Sequence, residues 1–302
     1  MSGEGIASSI DAVIPENFPK GRSLWGDALV RIKKDKFAIL CFFIIIFYCV
    51  LAFAAKVGWV AGSWDQQVGP AYAPPSLQSL KLCLGTDIFG RSVFYKAIQG
   101  ARIALGVGLV SSLISIPVGV ILGAAAGYFG GWVDDIVVWF YTVLNSIPYI
   151  MLLIAITLVC GKGLTSIYIA LGGTSWIGLC RVIRGEFFKH KSRDYVLAAE
   201  SLGANHTSRI FKHIMPNVSH FIILNLSIQF ISAIKSEVIL SYLGLGVQGM
   251  PSWGIMIDDA KLELARGVWW GLAAATGFMF FVVLAFNIFG DALTDALDPK
   301  IK

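Results

Sequence analysis

Charge is scarce in this chain. Asp, Glu, Lys and Arg make up 14% of its 302 residues, against 56% hydrophobic ones, and its mean hydropathy is +0.73. A soluble domain does not combine so much apolar surface with so little charge, which leaves a polytopic membrane protein. Cysteine offers nothing to build with: Cys41, Cys49, Cys160 and Cys180 lie in or at the ends of apolar runs, and Cys83 stands alone in a loop. Neither a disulfide framework nor a metal spacing is present. Histidine is confined to one region, with His190, His206, His213 and His220 all in or beside a single polar stretch. Solvated residues or helix-surface partners are the default reading of these four. The P-loop pattern G-x-x-x-x-G-K-[ST] is missing, which argues against ATP hydrolysis by this chain, and so is H-E-x-x-H. An intramembrane hydrolase would need a nucleophile–base pair, yet Lys235 and Glu237 are the only close charged pair in an apolar run. Residues two apart do not face each other on a helix. The first apolar run starts too late for a secretory signal peptide and lacks a small-residue cleavage site. The net charge of +5 is modest, and its clustering fits membrane topology better than nucleic-acid binding.

What the chain does have is apolar length. Runs at about 37–55, 103–127, 136–160, 164–180, 218–247 and 268–290 predict an all-α membrane protein with six transmembrane helices. They define a transmembrane domain over 37–290. Ahead of it lies a cytoplasmic tail, 1–36, and behind it a short one, 291–302. In the basic segment 22–36, Leu24, Trp25, Ala28, Leu29 and Ile32 fall at helical spacing, as expected of an interfacial helix on membrane lipid. The loop 56–102 carries Trp59 and Trp64 as interface anchors and reads as irregular extracytoplasmic structure. It also holds five Lys/Arg residues, so charge bias alone does not decide the orientation.

Two polar or small-residue patterns lie inside the spans. Gly119, Gly123 and Gly127 recur every four residues of the second span and form a flat stripe for close helix approach, either within the chain or against another subunit. Pro117 is expected to kink that helix, which membrane helices tolerate. The fifth span carries Asn225, Gln229, Lys235 and Glu237. A central charge costs roughly 2.5–3.5 kcal/mol on translocon scales, so this helix should face protein or a wet translocation path. Snorkelling to the surface is the alternative for Lys235 and Glu237.

The stretch that organises the chain is RVIRGEFFKHKSRDYVLAAESLGANHTSRIFKHIMPN, residues 181–217, a polar loop with seven Lys/Arg between two apolar runs. The positive-inside tendency places it in the cytoplasm. Tyr195, Ala198, Ala199 and Leu202 follow the i, i+3, i+4, i+7 pattern of one helix face. Asp194 suits the helix start, and Gly203 is placed to close it in a left-handed turn. Asn205 can cap a second helix running to about Met215, just before Pro216. Such a piece either rests on lipid or docks into a groove on a soluble partner.

The same loop resembles the "EAA" loop of ATP-binding-cassette (ABC) importer permeases through Ala198, Ala199, Gly203 and Pro216. Leu197, His213 and Met215 stand where that motif has Glu, Ile and Leu. Other segments resemble the C-type permeases of dipeptide, oligopeptide and nickel importers. LGTDIFGR followed by GARIALGVG opens the second span, GYFGGWVD follows it, and Arg181, Arg184, Gly185 and Glu186 enter the loop. Further on come Glu237 with LSYLGLG and PSWG, and finally GDALTDALDP. Ser92 replaces a usual Asp, and Trp139 and Thr142 replace a usual Arg and Asp. The resemblance implies a type I (MetI-like) permease with both termini cytoplasmic and the loop as coupling helix. Tyr195, Ala198, Ala199, Leu202, Gly203, Ala204 and Pro216 would then meet an ATPase.

The partners it implies are a B-type permease, two ABC ATPase subunits that bind the ATP and Mg, and an extracytoplasmic solute-binding protein. This chain would hold no cofactor or metal and bind no nucleic acid. It would sit in the bacterial inner membrane and import peptides or a related small solute. A self-contained secondary transporter is the competing class. It would be longer and show inverted repeats.

Overall fold

The computed structural model describes residues 30–297. Most of the interfacial helix expected over 22–36, and the last five residues, lie outside them. Helix α1, Lys36–Val57, starts where the Asp35 carboxylate accepts from the Phe37 and Ala38 N–H groups, and ends at Gly58 in the left-handed conformation. The capping logic is that of a short acidic side chain satisfying otherwise orphaned donors. One face buries Ala38, Cys41, Tyr48 and Ala55, while Phe43, Phe47, Val50 and Phe53 stay exposed on the other.

Helix α2, Val93–Phe129, is the longest helix among the described residues. At about 1.5 Å per residue it reaches on the order of 55 Å, well beyond a hydrocarbon core of roughly 30 Å. It begins ten residues ahead of the expected 103 because Ser92 supplies a cap, accepting from Tyr95 N–H. Pro117 sits inside the helix without ending it.

The third predicted span, 136–160, is two helices. Helices α3, Gly131–Asn145, and α4, Tyr149–Cys160, meet at 88° across a three-residue break. The cause is Pro148, which has no N–H to donate and disfavours helical backbone at Ile147 before it. Ser146 closes α3 by donating both its N–H and its hydroxyl to Thr142 O. Each piece is too short to cross the core unaided.

Helices α5, Leu164–Thr174, and α6, Trp176–His190, form one span interrupted at Ser175. After helix α7, Asp194–Ser201, a turn at His206–Ser208 and a π-helical turn at Arg209–Ile214 lead straight into helix α8, Met215–Tyr242. The second loop helix therefore does not stop before Pro216. The proline occupies the first turn of α8, where a missing N–H costs little, and the wider π turn ahead of it absorbs the ring. Asn217 Nδ2 donates to His213 O at 2.6 Å.

Between the fifth and sixth spans lies helix α9, Trp253–Leu264, capped by Ser252. Helix α10, Trp270–Leu297, closes the chain and continues through residues read as a tail. Among the described residues, five helices are long and apolar enough to cross a membrane, or six if α3 and α4 count as one span. α1 lies along α10, with Tyr48 Oη donating to Phe278 O at 3.1 Å. α2 runs through the middle and touches α1, α5, α6, α8 and α10. The bundle has two distinct ends. One carries the 58–92 loop and α9. The other carries α7, and there α1 begins and α10 finishes.

Candidate functional site

At the α7 end, α7 closes as a Schellman turn. Gly203, at φ +84°, donates its N–H to Glu200 O, and Ala204 N–H donates to Ala199 O, both at 2.9 Å. These bonds satisfy carbonyls that a helix end would leave open. Asn205 then caps the next turn, its Oδ1 accepting from Ser208 N–H at 2.8 Å. Leu202 projects at the tip with 89% of its surface free, and Leu197 and Tyr195 are also exposed. Ala198 and Pro216 are exposed and Ala204 half-buried. Ala199 departs from the expected single face. It is buried with Val196, and Val196 packs against Ala124, Phe187, Ile214 and Val218. In an eight-residue helix lying on a bundle, the inner face takes Val196 and Ala199, which leaves Tyr195, Ala198 and Leu202 outside.

The glycine stripe lies against α6. A Cβ on Gly119 would come within 2.9 Å of Trp176 O, one on Gly123 within 2.6 Å of Cys180 O, and one on Gly127 would overlap Arg184 O. Each successive glycine thus meets a carbonyl one turn further along the partner, the signature of two backbones in contact. Arg184 also pairs bidentately with Asp134 of α3, so α2, α3 and α6 are tied together at this end.

The polar residues of α8 separate. Gln229 is buried and bridges three elements: Ser115 Oγ donates to its Oε1 at 3.0 Å, and its Nε2 donates to Ser175 O at 2.9 Å, at the break between α5 and α6. Asn225 is half-buried and donates to Phe221 O on its own helix. Lys235 is exposed, whereas Glu237 is fully enclosed. Two residues are about 200° of helix, so opposite environments are expected. Glu237 Oε1 accepts from Ser241 Oγ at 2.6 Å, and its Oε2 has no hydrogen-bond partner.

At the other end stands a charged cluster built on Asp87 and Arg91 of the LGTDIFGR motif, with partners that the motif did not announce. Asp87 Oδ1 accepts the N–H groups of Phe89 and Arg91, and its Oδ2 receives Arg91 Nε at 2.8 Å and Lys96 Nζ at 3.1 Å. Lys96 also lies 3.6 Å from Asp259 of α9. Beside them Glu263 is buried, and a cavity of about 10 Å³, room for one water, opens between these side chains. Burial alone would raise the Asp87 carboxyl, but Lys96, the Arg91 N–H and the Arg91 guanidinium hold it below the usual aspartate value. Burial raises Glu263, with Lys96 opposing and Asp259 and Asp87 adding to the rise. Trp253 Nε1 donates to Ala97 O and Trp270 Nε1 to Thr86 O, both at 2.9 Å, so α9 is pinned to the start of α2 and α10 to the loop ahead of it.

Residues 115–302 match the family model of the binding-protein-dependent transport system inner membrane component. The chain belongs to that family. Residues 23–75 match the N-terminal transmembrane domain of oligopeptide transport permease C. The dipeptide transport system permease protein DppC of Bacillus subtilis is 38% identical over 91% of this chain and 86% of its own length. The oligopeptide transport system permease protein OppC of the same organism is 35% identical over 94% and 92%. The fold also resembles that in a crystal structure of an amino acid ABC transporter with histidines, with a TM-score of 0.52 at 19% identity, covering 65% of this chain and 91% of that one. This family member is therefore an inner-membrane permease subunit of an ABC importer, C-type in its kinship, with a MetI-like helical fold.

Proposed function

We propose that this chain is one half of the translocation path of a peptide importer, with α7 as the coupling helix. Support for the cargo comes from relatives whose names specify dipeptide and oligopeptide transport. A B-type permease would supply the other half, two ABC ATPases would bind ATP and Mg at the α7 end, and a solute-binding protein would dock at the α9 end. That orientation puts both termini in the cytoplasm with the basic 181–217 loop. Since the sequence carries no P-loop, hydrolysis falls to the partner ATPases.

The observation that carries the coupling role is the shape of α7. Its inner face is anchored by Val196 and Ala199, its end is fixed by two Schellman hydrogen bonds, and Leu202 is left as a bare apolar knob. A rigid, preformed knob loses little entropy on docking. ATP-driven closure of the ATPases would move this knob, and the bundle would turn from inward- to outward-facing.

Leu202→Asp adds a charge that docking must desolvate, and Gly203→Val forces a β-branched residue into the left-handed region, at roughly 1–2 kcal/mol. Both should insert normally and lose co-purifying ATPases and ATP-driven turnover. Full ATPase retention with normal turnover in both variants would make α7 a lipid-surface helix instead.

A further inference from the structure

The geometry points to Arg209 as the positioning residue through which the coupling helix grips α2, with His206 and Tyr128 completing the joint. The inference rests on the proposed role of α7 and adds how its motion is passed on.

Most of what holds α7 is apolar, and apolar contact is non-directional. Val196 and Ala199 could slide within their cluster without loss of burial. Directional ties are needed to turn a displacement of α7 into a displacement of a span. One runs from Tyr195 Oη to His190 Nδ1 on α6, at 2.7 Å. The other leaves the far end of α7, where Glu200 Oε1 receives Arg209 Nη1 at 2.5 Å.

Arg209 then reaches further. Its Nη2 lies 3.0 Å from His206 Nδ1, and Tyr128 Oη lies 2.9 Å from the same nitrogen. A guanidinium only donates, so Nδ1 must accept, and the hydrogen-bond network assigns the ring proton to Nε2. Nδ1 has a single lone pair, so the Tyr128 hydroxyl shares it with the guanidinium in a three-centre contact. The Arg209 side chain is 11% exposed and Glu200 52%, so the ion pair is half-open but its arginine is held. The guanidinium also sits 5.9 Å from the Tyr128 ring centre, and Phe129 packs against the His206 ring.

Tyr128 is the residue after Gly127, the last glycine in backbone contact with α6. A push on Glu200 is therefore delivered to the final turn of α2, which is close-packed on α6, and α6 is tied by Arg184 to Asp134 of α3. The joint lets one short helix move three others as a block. Lysine cannot stand in fully, because a point charge does not serve two acceptors in the fixed fork that guanidinium offers.

The test uses the assembled complex with its partner permease and both ATPases in lipid nanodiscs. A nitroxide label at Trp132, which is exposed on α3, is paired with one on the neighbouring permease subunit, and ATP plus vanadate drives the change in distance. Arg209→Gln should keep the ATPases bound while slowing that change about tenfold, the scale of an ordinary coupling energy. Arg209→Lys should fall between, and His206→Gln, which retains an acceptor, should be milder than His206→Phe. Adding Glu200→Gln to Arg209→Gln should cost nothing more, since the two act in series.

Normal switching by Arg209→Gln, or release of its ATPases, overturns the joint, because the residue would then be idle or part of attachment. If Arg209→Gln does not assemble, Tyr128→Phe decides, as it removes only a hydroxyl: unchanged switching overturns the proposal and slowed switching upholds it. Leu202→Asp separates the two levels. Should it release the ATPases while Arg209→Gln switches normally, the joint alone fails. Should Leu202→Asp change nothing, the coupling reading itself falls.

Discussion

The two ends of α2 meet their neighbouring helices by different means. Toward α7, Gly119, Gly123 and Gly127 present no side chain at all, and the helix rests on carbonyls of α6. Toward α9 the contacts are specific and polar: Lys96 between Asp87 and Asp259, and the Trp253 indole donating to Ala97 O above Gly100. Bare backbone contact gains dispersion over a long interface and tolerates no added atom. Hydrogen bonds and ion pairs contribute at points and depend on protonation. Against α6 the glycine stripe is thus limited by bulk alone, whereas at the α9 end the close fit of Trp253 on Gly100 is joined by chemistry.

The sharpest way to break that contrast is to add bulk at the glycine end. Gly123→Leu would drive its side chain into Cys180 O and Ile183 Cβ, atoms that cannot rotate aside without moving α6. Overpacking of this kind costs roughly 3 kcal/mol or more, and the yield of folded protein should collapse. Ile121→Leu, two residues away on an exposed face, should leave yield unchanged. Equal yields from the two variants, measured by size-exclusion of detergent-solubilised protein, would remove the stripe as a packing surface.

A smaller effect is expected where chemistry takes part. Trp253→Phe keeps an aromatic ring in a fully buried position but removes the donor to Ala97 O and some volume. The cost should be on the order of 2 kcal/mol, read as a lower thermal midpoint with assembly intact. A loss as large as that of Gly123→Leu would show that both ends are governed by packing.

Much of the α7 end was legible in the sequence because its rules are local. The four-residue glycine period, the Gly203 stop and the Asn205 cap each involve residues within one or two turns, where propensity and spacing suffice. The third span read as one continuous run because apolar length masked Pro148, and the 88° angle depends on what α3 and α4 pack against. At the α9 end the motifs named Asp87, Arg91 and Trp253 but not what they meet, for the same reason. Asp87 and Asp259 meet only through Lys96, and Gln229 finds Ser115 and Ser175 across 114 and 54 residues of chain. No periodicity encodes such pairings. Lys235 and Glu237 read alike as charges in a span, yet helical geometry sends one outward and one into the bundle.

The finest test concerns pH at the α9 end. Asp87 has its carboxyl lowered in the fold, so its contribution is complete above the unfolded value of about 3.9 and is lost as pH falls through the folded value. Glu263 is raised, so the folded state holds its proton more tightly than the unfolded chain does. Stability from this group is greatest below about 4.3 and declines as pH climbs from there through the raised value. The two slopes oppose each other, and the 58–92 loop should be most firmly held in mildly acidic medium, loosening slightly toward neutrality. Hydrogen exchange of that loop, corrected for the intrinsic rate, should show the loosening in the native chain and not in Glu263→Gln, where the position cannot ionise. The contact of α2 with α6 along Gly119, Gly123 and Gly127 uses backbone carbonyls and no titratable group, so it should not respond to Glu263→Gln over the same range. A pH response of the loop that survives Glu263→Gln would mean that the charged cluster does not govern how the α9 end is held.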